Sequence, residues 1–219
     1  MIIAVDGPTA SGKGTVARGL AEHYGLPHLD TGLLYRAVGR QVLLDGGDPD
    51  DGGDALAATA FADHLLDDPH LRSEETGGLA SRVSIHPSVR QALYERQRAF
   101  AEQSGGAVLD GRDIGTVIAP DADVKLFVTA SVEARAERRW KEMQQRGIEV
   151  TLEAIADDIR ARDERDTGRK DAPLRVAEGA FVIDNSALTK EQALAVAIEA
   201  VERARALAKN IFLHTGDWS

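Results

Sequence analysis

Apolar residues along the chain fall into two patterns that take turns. Four short runs, Ile2–Val5, Ala107–Leu109, Val124–Val128 and Phe181–Ile183, are apolar almost throughout and too brief for helices. Each reads as a buried strand, with Pro27-His28-Leu29 as a shorter extended piece. Between them the apolar positions repeat at helical spacing. Val16, Ala17, Leu20, Ala21 and Tyr24 form one stripe, ended by Gly25 and Pro27. Leu34, Val38 and Leu43 form the next, opened by Asp30-Thr31-Gly32. Gly46–Pro49 and Asp51–Gly53 read as a turn-rich excursion, and two or three helices fill roughly 54–103. One of these is capped by Ser73, with Glu74 and Glu75 in its first turn. Helices over about 131–146 and 151–167 are separated by Gly147, and Thr189 with Gln192 forms a capping box before a closing helix to about 209. The tail Phe212–Ser219 carries no pattern that assigns it a role.

Apolar strands alternating with helices predict a parallel sheet covered on both faces. Ligands on such sheets sit beyond the carboxyl ends of the strands. Two chemically loaded segments lie there: Gly7–Thr15 after the first strand and Asp110–Asp113 after the second long one.

The first has the context of a phosphate-binding loop, a strand before it and an amphipathic helix after it. Glycines let the backbone wrap phosphate oxygens with N–H groups pointing inward, and the helix start adds unpaired amides and a positive dipole end. Lys13 adds a full charge. The spacing Gly7-x4-Gly12-Lys13 fits, but Gly14 stands where most such loops place a magnesium-binding Ser or Thr, with Thr15 one step later.

Composition narrows the class. The 219 residues are 43% hydrophobic and 28% charged, the balance of one compact globular domain with room for a small mobile appendage. The net charge of −10 disfavours sequence-independent nucleic-acid binding, which runs on basic patches. The acids are concentrated in residues 45–75, ten of them against Arg72 alone, whereas 131–175 holds nine arginines and two lysines against eleven acids. The absence of cysteine removes disulfides, thiolate zinc sites and cysteine nucleophiles. No run reaches the length of a membrane span, and the apolar start lacks the basic flank and cleavage signal of a secretory leader, so the expected location is cytoplasmic.

The segment 151–169 points to a site independently of the loop. Its apolar stripe is Leu152, Ile155 and Ile159, and steps of seven from Ile155 and Ile159 arrive at Arg162 and Asp166, with Arg169 seven beyond Arg162. Seven residues return almost to the same azimuth, so one helix face changes from apolar to charged, as for a helix leaving a core and entering a polar cavity. The plainer reading is a solvated face with an Arg162–Asp166 pair. Asp110 occupies the usual place of a carboxylate that reaches magnesium through water, and Arg112 could reach an anion beside the loop. Arg135, Arg138 and Arg139 lie one turn apart and suit phosphate, or equally a solvated face. His28, His64, His70 and His86 lack metal-ligand spacing and read as surface or loop residues.

Together these motifs resemble the bacterial cytidylate kinase family, within the nucleoside-monophosphate kinases. The stretches that match are Asp6-Gly7-Pro8, Gly12-Lys13-Gly14-Thr15, Leu29-Asp30-Thr31-Gly32 with Tyr35-Arg36, and Asp110-Gly111-Arg112-Asp113-Ile114-Gly115-Thr116-Val117. Arg162-Asp163-x-Arg165-Asp166-x-x-Arg169, Ala172-Pro173-Leu174 and Ile183-Asp184-Asn185-Ser186 complete the set. The Gly-Lys-Gly-Thr loop belongs to this kinase class generally, and Thr31 stands where many members have Ser. The resemblance implies an α/β fold of the P-loop NTPase type: a five-stranded parallel sheet with helices on both faces, a monophosphate-binding insert and a lid. It would span 1–219 as one kinase domain, with core 1–45, 104–130 and 176–209, a helical insert at about 46–103 and a lid at about 131–170. Longer members carry a small β-stranded insert before Leu71–Glu75. Here only the acidic helical segment 54–70 is present, a shortened form.

The same resemblance implies the roles. Gly7, Pro8, Thr9, Ala10, Ser11, Gly12, Lys13, Gly14 and Thr15 would hold the phosphates of ATP, with Lys13 on the transferred group, and Arg135, Arg138 and Arg139 would meet ATP from the lid helix. Arg36, Arg112 and Arg169 would grip the acceptor phosphate, Arg162 and Asp166 its sugar, and Ser81, Arg90 and Asp113 the cytosine edge, with Asp30 and Thr31 beside them. Thr15 and, through water, Asp110 would serve Mg2+ bound with ATP. The implied reaction passes the γ-phosphoryl group of ATP to CMP or dCMP. An acceptor phosphate is already ionised at neutral pH, so alignment and charge neutralisation suffice without a general base. A monomer suits a fold that must open and close, with no nucleic acid or membrane as partner. UMP or AMP as acceptor remains open, as does a nucleotide-binding regulatory module, although an arginine-lined second site has no purpose in a plain switch.

Overall fold

The computed structural model describes the backbone of residues 1–214 and the side chains of residues 1–207, so part of the tail Phe212–Ser219 lies outside the described residues. Five strands, β1 (Ile2–Asp6), β2 (His28–Asp30), β3 (Ala107–Gly111), β4 (Val124–Thr129) and β5 (Phe181–Asp184), form one parallel sheet in the order β2-β3-β1-β4-β5. The register sets Val5 against Asp110, Asp6 against Gly111 and Asp30 against Asp110, so the three strand ends reach one level. The chain leaves β1 for β2, returns to β3 beside β1, and then crosses to β4 on the other side. That reversal opens a crevice at the carboxyl end of β1.

Alternation along β1 assigns each face its core. Ile3 and Val5 pack with Val16, Leu20, Ala193 and Ala197 of α1 (Lys13–Tyr24) and α8 (Lys190–His214), while Ala4 packs on the other face with Leu109, Ala101 and Ile114. Ala101 closes α5 (Pro87–Ala101), and Ile114 opens a single π-helical turn, Ile114–Ile118. Gly25, left-handed at φ 63°, ends α1, and the Thr189–Gln192 capping box forms as expected, each residue bonding the other's backbone N–H.

Two further clusters stand apart from the sheet. Leu34, Val38 and Val42 of α2 (Thr31–Leu44) pack with Ala55 of α3 (Gly52–Ala57), Val83 of α4 (Glu74–Val83), and Val89 and Leu93 of α5. The buried stripe of α2 thus continues to Val42; Leu43, expected in it, is 38% exposed. The segment 54–70, expected to be helical, leaves α-helix after Ala57 and runs through 3-10 turns at Ala58–Ala60, Asp63–Asp67 and Pro69–Arg72. Pro69 stands at the start of the last turn, and Asp68 caps it by accepting the His70 N–H. Ser73 caps α4 as the pattern predicts. The last cluster joins α6 (Val132–Gln145) and α7 (Leu152–Gly168) through Ala136, Ile155 and Ile159. Leu152, expected in that stripe, is 46% exposed in the first turn of α7, outside the contact.

Candidate functional site

The turn between β1 and α1 carries the first half of the site. Gly12 has φ 92°, a left-handed conformation costly for any side chain, and its carbonyl accepts from Thr15 and Val16 as the helix starts. Lys13 therefore leaves the first turn of α1 toward the crevice. Burial, with Arg112 nearby, lowers its ammonium to about 8 against the opposing pull of Asp110, Asp30 and Asp166. Thr15, two residues on, is exposed.

The second half is a cavity of about 240 Å3 beyond the ends of β1 and β3. Lys13, Arg36, Arg90, Arg112, Arg139, Arg162 and Arg169 line it, against Asp30, Asp110, Asp113 and Asp166. The cations outnumber the carboxylates, which suits an anionic ligand. Arg36 reaches from α2, its Nη1 donating to the carbonyls of Leu71 and Ser73. Arg112 leaves the end of β3 and donates through Nε to Asp166 Oδ2 at 2.8 Å. Burial would raise the Asp166 carboxyl, but Arg112 and Arg169 hold it below its ordinary value.

Two of the guanidinium groups are held incompletely. Arg162 Nε lies 3.0 Å from Asp158 Oδ2 yet is not aligned to donate to it, and Arg169 Nη2 is buried with no hydrogen-bond partner among the described residues. Arg139, lowered to about 10 by burial and by Arg162, donates to Glu74 on α4, which also stands 3.8 Å from Arg162 Nη2. The α7 stripe does what its spacing predicts: Ile155 and Ile159 are buried in the core and Arg162 and Asp166 are buried at the cavity.

At the far end of the cavity Arg90 Nη2 donates to Asp113 Oδ2, and the Arg90 guanidinium lies 5.7 Å over the Tyr35 ring. Ser81 is close by, its hydroxyl accepting from Arg165 Nε at 3.0 Å. Thr31 is buried and donates to the Asp110 carbonyl at 2.9 Å, tying the start of α2 to the end of β3.

Of the residues singled out in the sequence, Thr9, Ala10, Lys13, Gly14, Asp30, Thr31, Arg36, Ser81, Arg90, Asp110, Arg112, Asp113, Arg139, Arg162, Asp166 and Arg169 line this one cavity. Gly7, Pro8, Ser11, Gly12 and Thr15 of the loop, and Arg135 and Arg138, do not. Arg135 is buried, with Nε on the Ala130 carbonyl and the other nitrogens on Asp163 and the Thr9 carbonyl. Arg138 donates to the carbonyls of Asn185 and Ser186.

Several site residues escaped the sequence reading. His28, read as a surface or loop residue, lies in β2 with Nε2 2.7 Å from Asp110 Oδ1. Asp6, at the end of β1, accepts the backbone N–H groups of Ile114 and Gly115, each at 2.8 Å; burial raises its carboxyl to about 7. Gly77 of α4 lets two arginines approach the helix: a Cβ there would stand 3.0 Å from Arg36 Nη2 and 3.2 Å from Arg162 Nη1. No local pattern marks Gly77, but Tyr35 could have been suspected from its place beside Arg36.

The chain is similar to known proteins over most of its length. A family model described as cytidylate kinase matches residues 3–203. The cytidylate kinase of Caulobacter sp. (strain K31) is 54% identical over 209 residues, covering 94% of this chain and 95% of that protein. The cytidylate kinase of Xanthobacter autotrophicus (strain ATCC BAA-1158 / Py2) is 56% identical over 206 residues, covering 94% and 99%. Among solved structures, an uncharacterized protein from Eubacterium ventriosum ATCC 27560 superimposes with a TM-score of 0.52 at 15% identity, over 92% of this chain and 98% of that one, a likeness of fold alone.

Proposed function

This chain belongs to the cytidylate kinase family, and we propose on that premise that it transfers the γ-phosphoryl group of ATP to CMP or dCMP, giving ADP and CDP or dCDP. The observation that carries the reading is the single cavity in which Lys13 and the first turn of α1 stand beside Arg36, Arg112, Arg162 and Arg169. Main-chain amides and a lysine suit the donor phosphates, and planar guanidinium forks suit the acceptor phosphate. Arg162 Nε and Arg169 Nη2, buried and without a hydrogen-bond partner among the described residues, have hydrogen bonds left to give.

Gly7–Thr15 then holds the phosphates of ATP, with Lys13 following the transferred group. Arg36, Arg112 and Arg169 hold the acceptor phosphate, Arg162 and Asp166 the sugar, and Ser81, Arg90 and Asp113 the base, with Asp30 and Thr31 at the edge of that site. Arg139 faces the phosphates from the lid of about 131–170, while Arg135 and Arg138 act from behind it: Arg135 carries a hydrogen bond to Thr9 of the loop. The segment of about 46–103 is the acceptor-side body, and residues 1–45, 104–130 and 176–209 form the frame between them.

Among the described residues no three His, Cys, Asp or Glu side chains are grouped to hold a metal ion. Magnesium fits such a site because it takes its ligands mainly from nucleotide phosphates and water. The hydroxyl of exposed Thr15 and the Asp110 carboxylate beside Gly14 are the groups that would meet it. When bound with ATP, it supplies charge neutralisation on the phosphates. The enzyme works in the cytoplasm as a monomer, within pyrimidine nucleotide metabolism; no helix among the described residues is long and apolar enough to cross a membrane.

ADP release from ATP with CMP, dCMP, UMP and AMP offered in turn tests the reading. CMP and dCMP are expected to be turned over at least tenfold more efficiently than UMP or AMP. Equal turnover of AMP would overturn the assignment of the acceptor, and ADP release without any acceptor dependence would overturn transfer.

A further inference from the structure

Asp110 is held unusually for a carboxylate at the edge of a phosphate site. Its side chain is only 4% exposed, and its two oxygens have different surroundings. Oδ1 lies 2.7 Å from His28 Nε2, whereas Oδ2 faces the phosphate loop, where a Cβ on Gly14 would stand 3.6 Å from it. The backbone is fixed as well: Thr31 donates to the Asp110 carbonyl, and β2 pairs Asp30 with Asp110 in the same short strand that presents His28. The His28 ring is itself largely enclosed, with 17% of its side chain exposed.

A carboxylate free to rotate would average its direction over several rotamers and could collapse onto Lys13. Tying one oxygen to an imidazole selects one rotamer and leaves the other oxygen directed at the loop. We propose that His28 is a positioning residue for Asp110: it fixes Oδ1 so that Oδ2 is presented to the hydrated metal of the ATP complex. His28 touches neither nucleotide nor metal and acts only through Asp110. The inference rests on the reading of Asp110 as the carboxylate that serves magnesium.

The test uses the full chain with Mn2+ as the metal probe. Mn2+ affinity at saturating ATP is read from the free-ion electron paramagnetic resonance signal, and ATP binding in EDTA is measured alongside. His28→Leu is expected to weaken Mn2+ binding in the ternary complex by about three- to tenfold, with ATP binding in EDTA unchanged. His28→Gln, whose amide can still donate to Oδ1, is expected to recover most of that loss. In turnover, His28→Leu should lower kcat and leave the KM for CMP unchanged. Thermal unfolding of the variants checks that the fold is retained; should the leucine variant unfold, His28→Phe, which keeps a ring but cannot donate to Oδ1, takes its place with the same expected loss.

Loss of metal-free ATP binding to the same extent, or no rescue by glutamine in a folded protein, would reduce His28 to a packing residue and overturn the proposal. Asp110→Asn separates the premise from the inference. If it leaves Mn2+ affinity unchanged, the metal role of Asp110 falls and the proposal with it, while phosphoryl transfer by the unaltered enzyme still stands. If it weakens Mn2+ binding and His28→Leu does not, the proposal alone falls.

Discussion

Arg112 donates to Asp166 at 2.8 Å although the two lie 54 positions apart, one at the end of β3 and the other on α7. The pair joins the sheet to the helix that closes the cavity, and Arg169 Nη2 stands 3.9 Å from the other carboxylate oxygen. Removing the carboxylate leaves the partly buried Arg112 guanidinium and the buried Arg169 guanidinium facing each other. Asp166→Ala is therefore expected to lose about 3–5 kcal/mol of stability. Addition of CMP, whose phosphate supplies the missing negative charge, should restore part of it. Thermal unfolding with and without CMP measures both effects.

Lys13 titrates near 8 in the free protein because burial and Arg112 disfavour its charged form. The protonated form is present below that pH and is lost as pH rises through it. Since only the cation neutralises phosphate, kcat/KM for ATP should fall above about pH 8, while kcat, read with the phosphates bound, should hold to higher pH. Lys13→Ala should lower kcat by orders of magnitude with the fold intact and abolish the alkaline limb. Near-normal turnover in a folded Lys13→Ala enzyme would remove the lysine from the transfer step.

Asp113 pairs with buried Arg90, so Asp113→Ala strands an arginine and confounds base reading with stability. Asp113→Asn keeps the shape and one acceptor. It is expected to reduce the preference for CMP over UMP about tenfold or more while slowing transfer less. Steady-state kinetics with both acceptors decides the matter.

Gly77→Ala places a methyl group against Arg36 and Arg162, at 3.0 and 3.2 Å from their nitrogens. Alanine favours the helix itself by up to about 1 kcal/mol, so the protein should unfold at the same temperature or a higher one. The KM for CMP should rise several-fold with the KM for ATP unchanged, because the proposed function puts the displaced groups on the acceptor side.

Glu74 occupies Arg139, which the proposed function sets against the phosphates, and approaches Arg162. Glu74→Gln should cost about 1 kcal/mol without ligand, the pair being partly exposed. With a bisubstrate analogue bound the cost should vanish, since the ligand's phosphates take over from the carboxylate. Amide exchange in α6 and α7 should quicken in the free variant alone.

What could be read from the chain is what local spacing encodes. The strands, the loop Gly7–Thr15 and the apolar-to-charged face of α7 depend on neighbours within two helical turns, and they stand as expected except for exposed Leu152. His28 was misread because its partner is set by the pairing of β2 with β3, 82 positions away. Asp6 and Gly77 were missed for the same reason: two amides 108 and 109 positions distant define the first, and two arginines from other helices the second. Arg135 shows the converse. Its residue type suits phosphate, but Asp163 and the carbonyls of Thr9 and Ala130 have taken its nitrogens. Residues 54–70 are helical only in short turns, the last of them opened by Pro69 and capped by Asp68.

Asp6 makes the two halves of the catalytic frame inseparable by cut and paste. One carboxylate, immediately ahead of the glycine that opens the ATP loop, saturates both amides that follow Asp113. A graft that swapped residues 113–118 for the turn of an enzyme with another base preference would leave that carboxylate enclosed and bereft of donors unless the new turn offered the same two N–H groups. Side chains on this turn can therefore be exchanged freely, whereas a new backbone must keep both N–H groups where Asp6 accepts them.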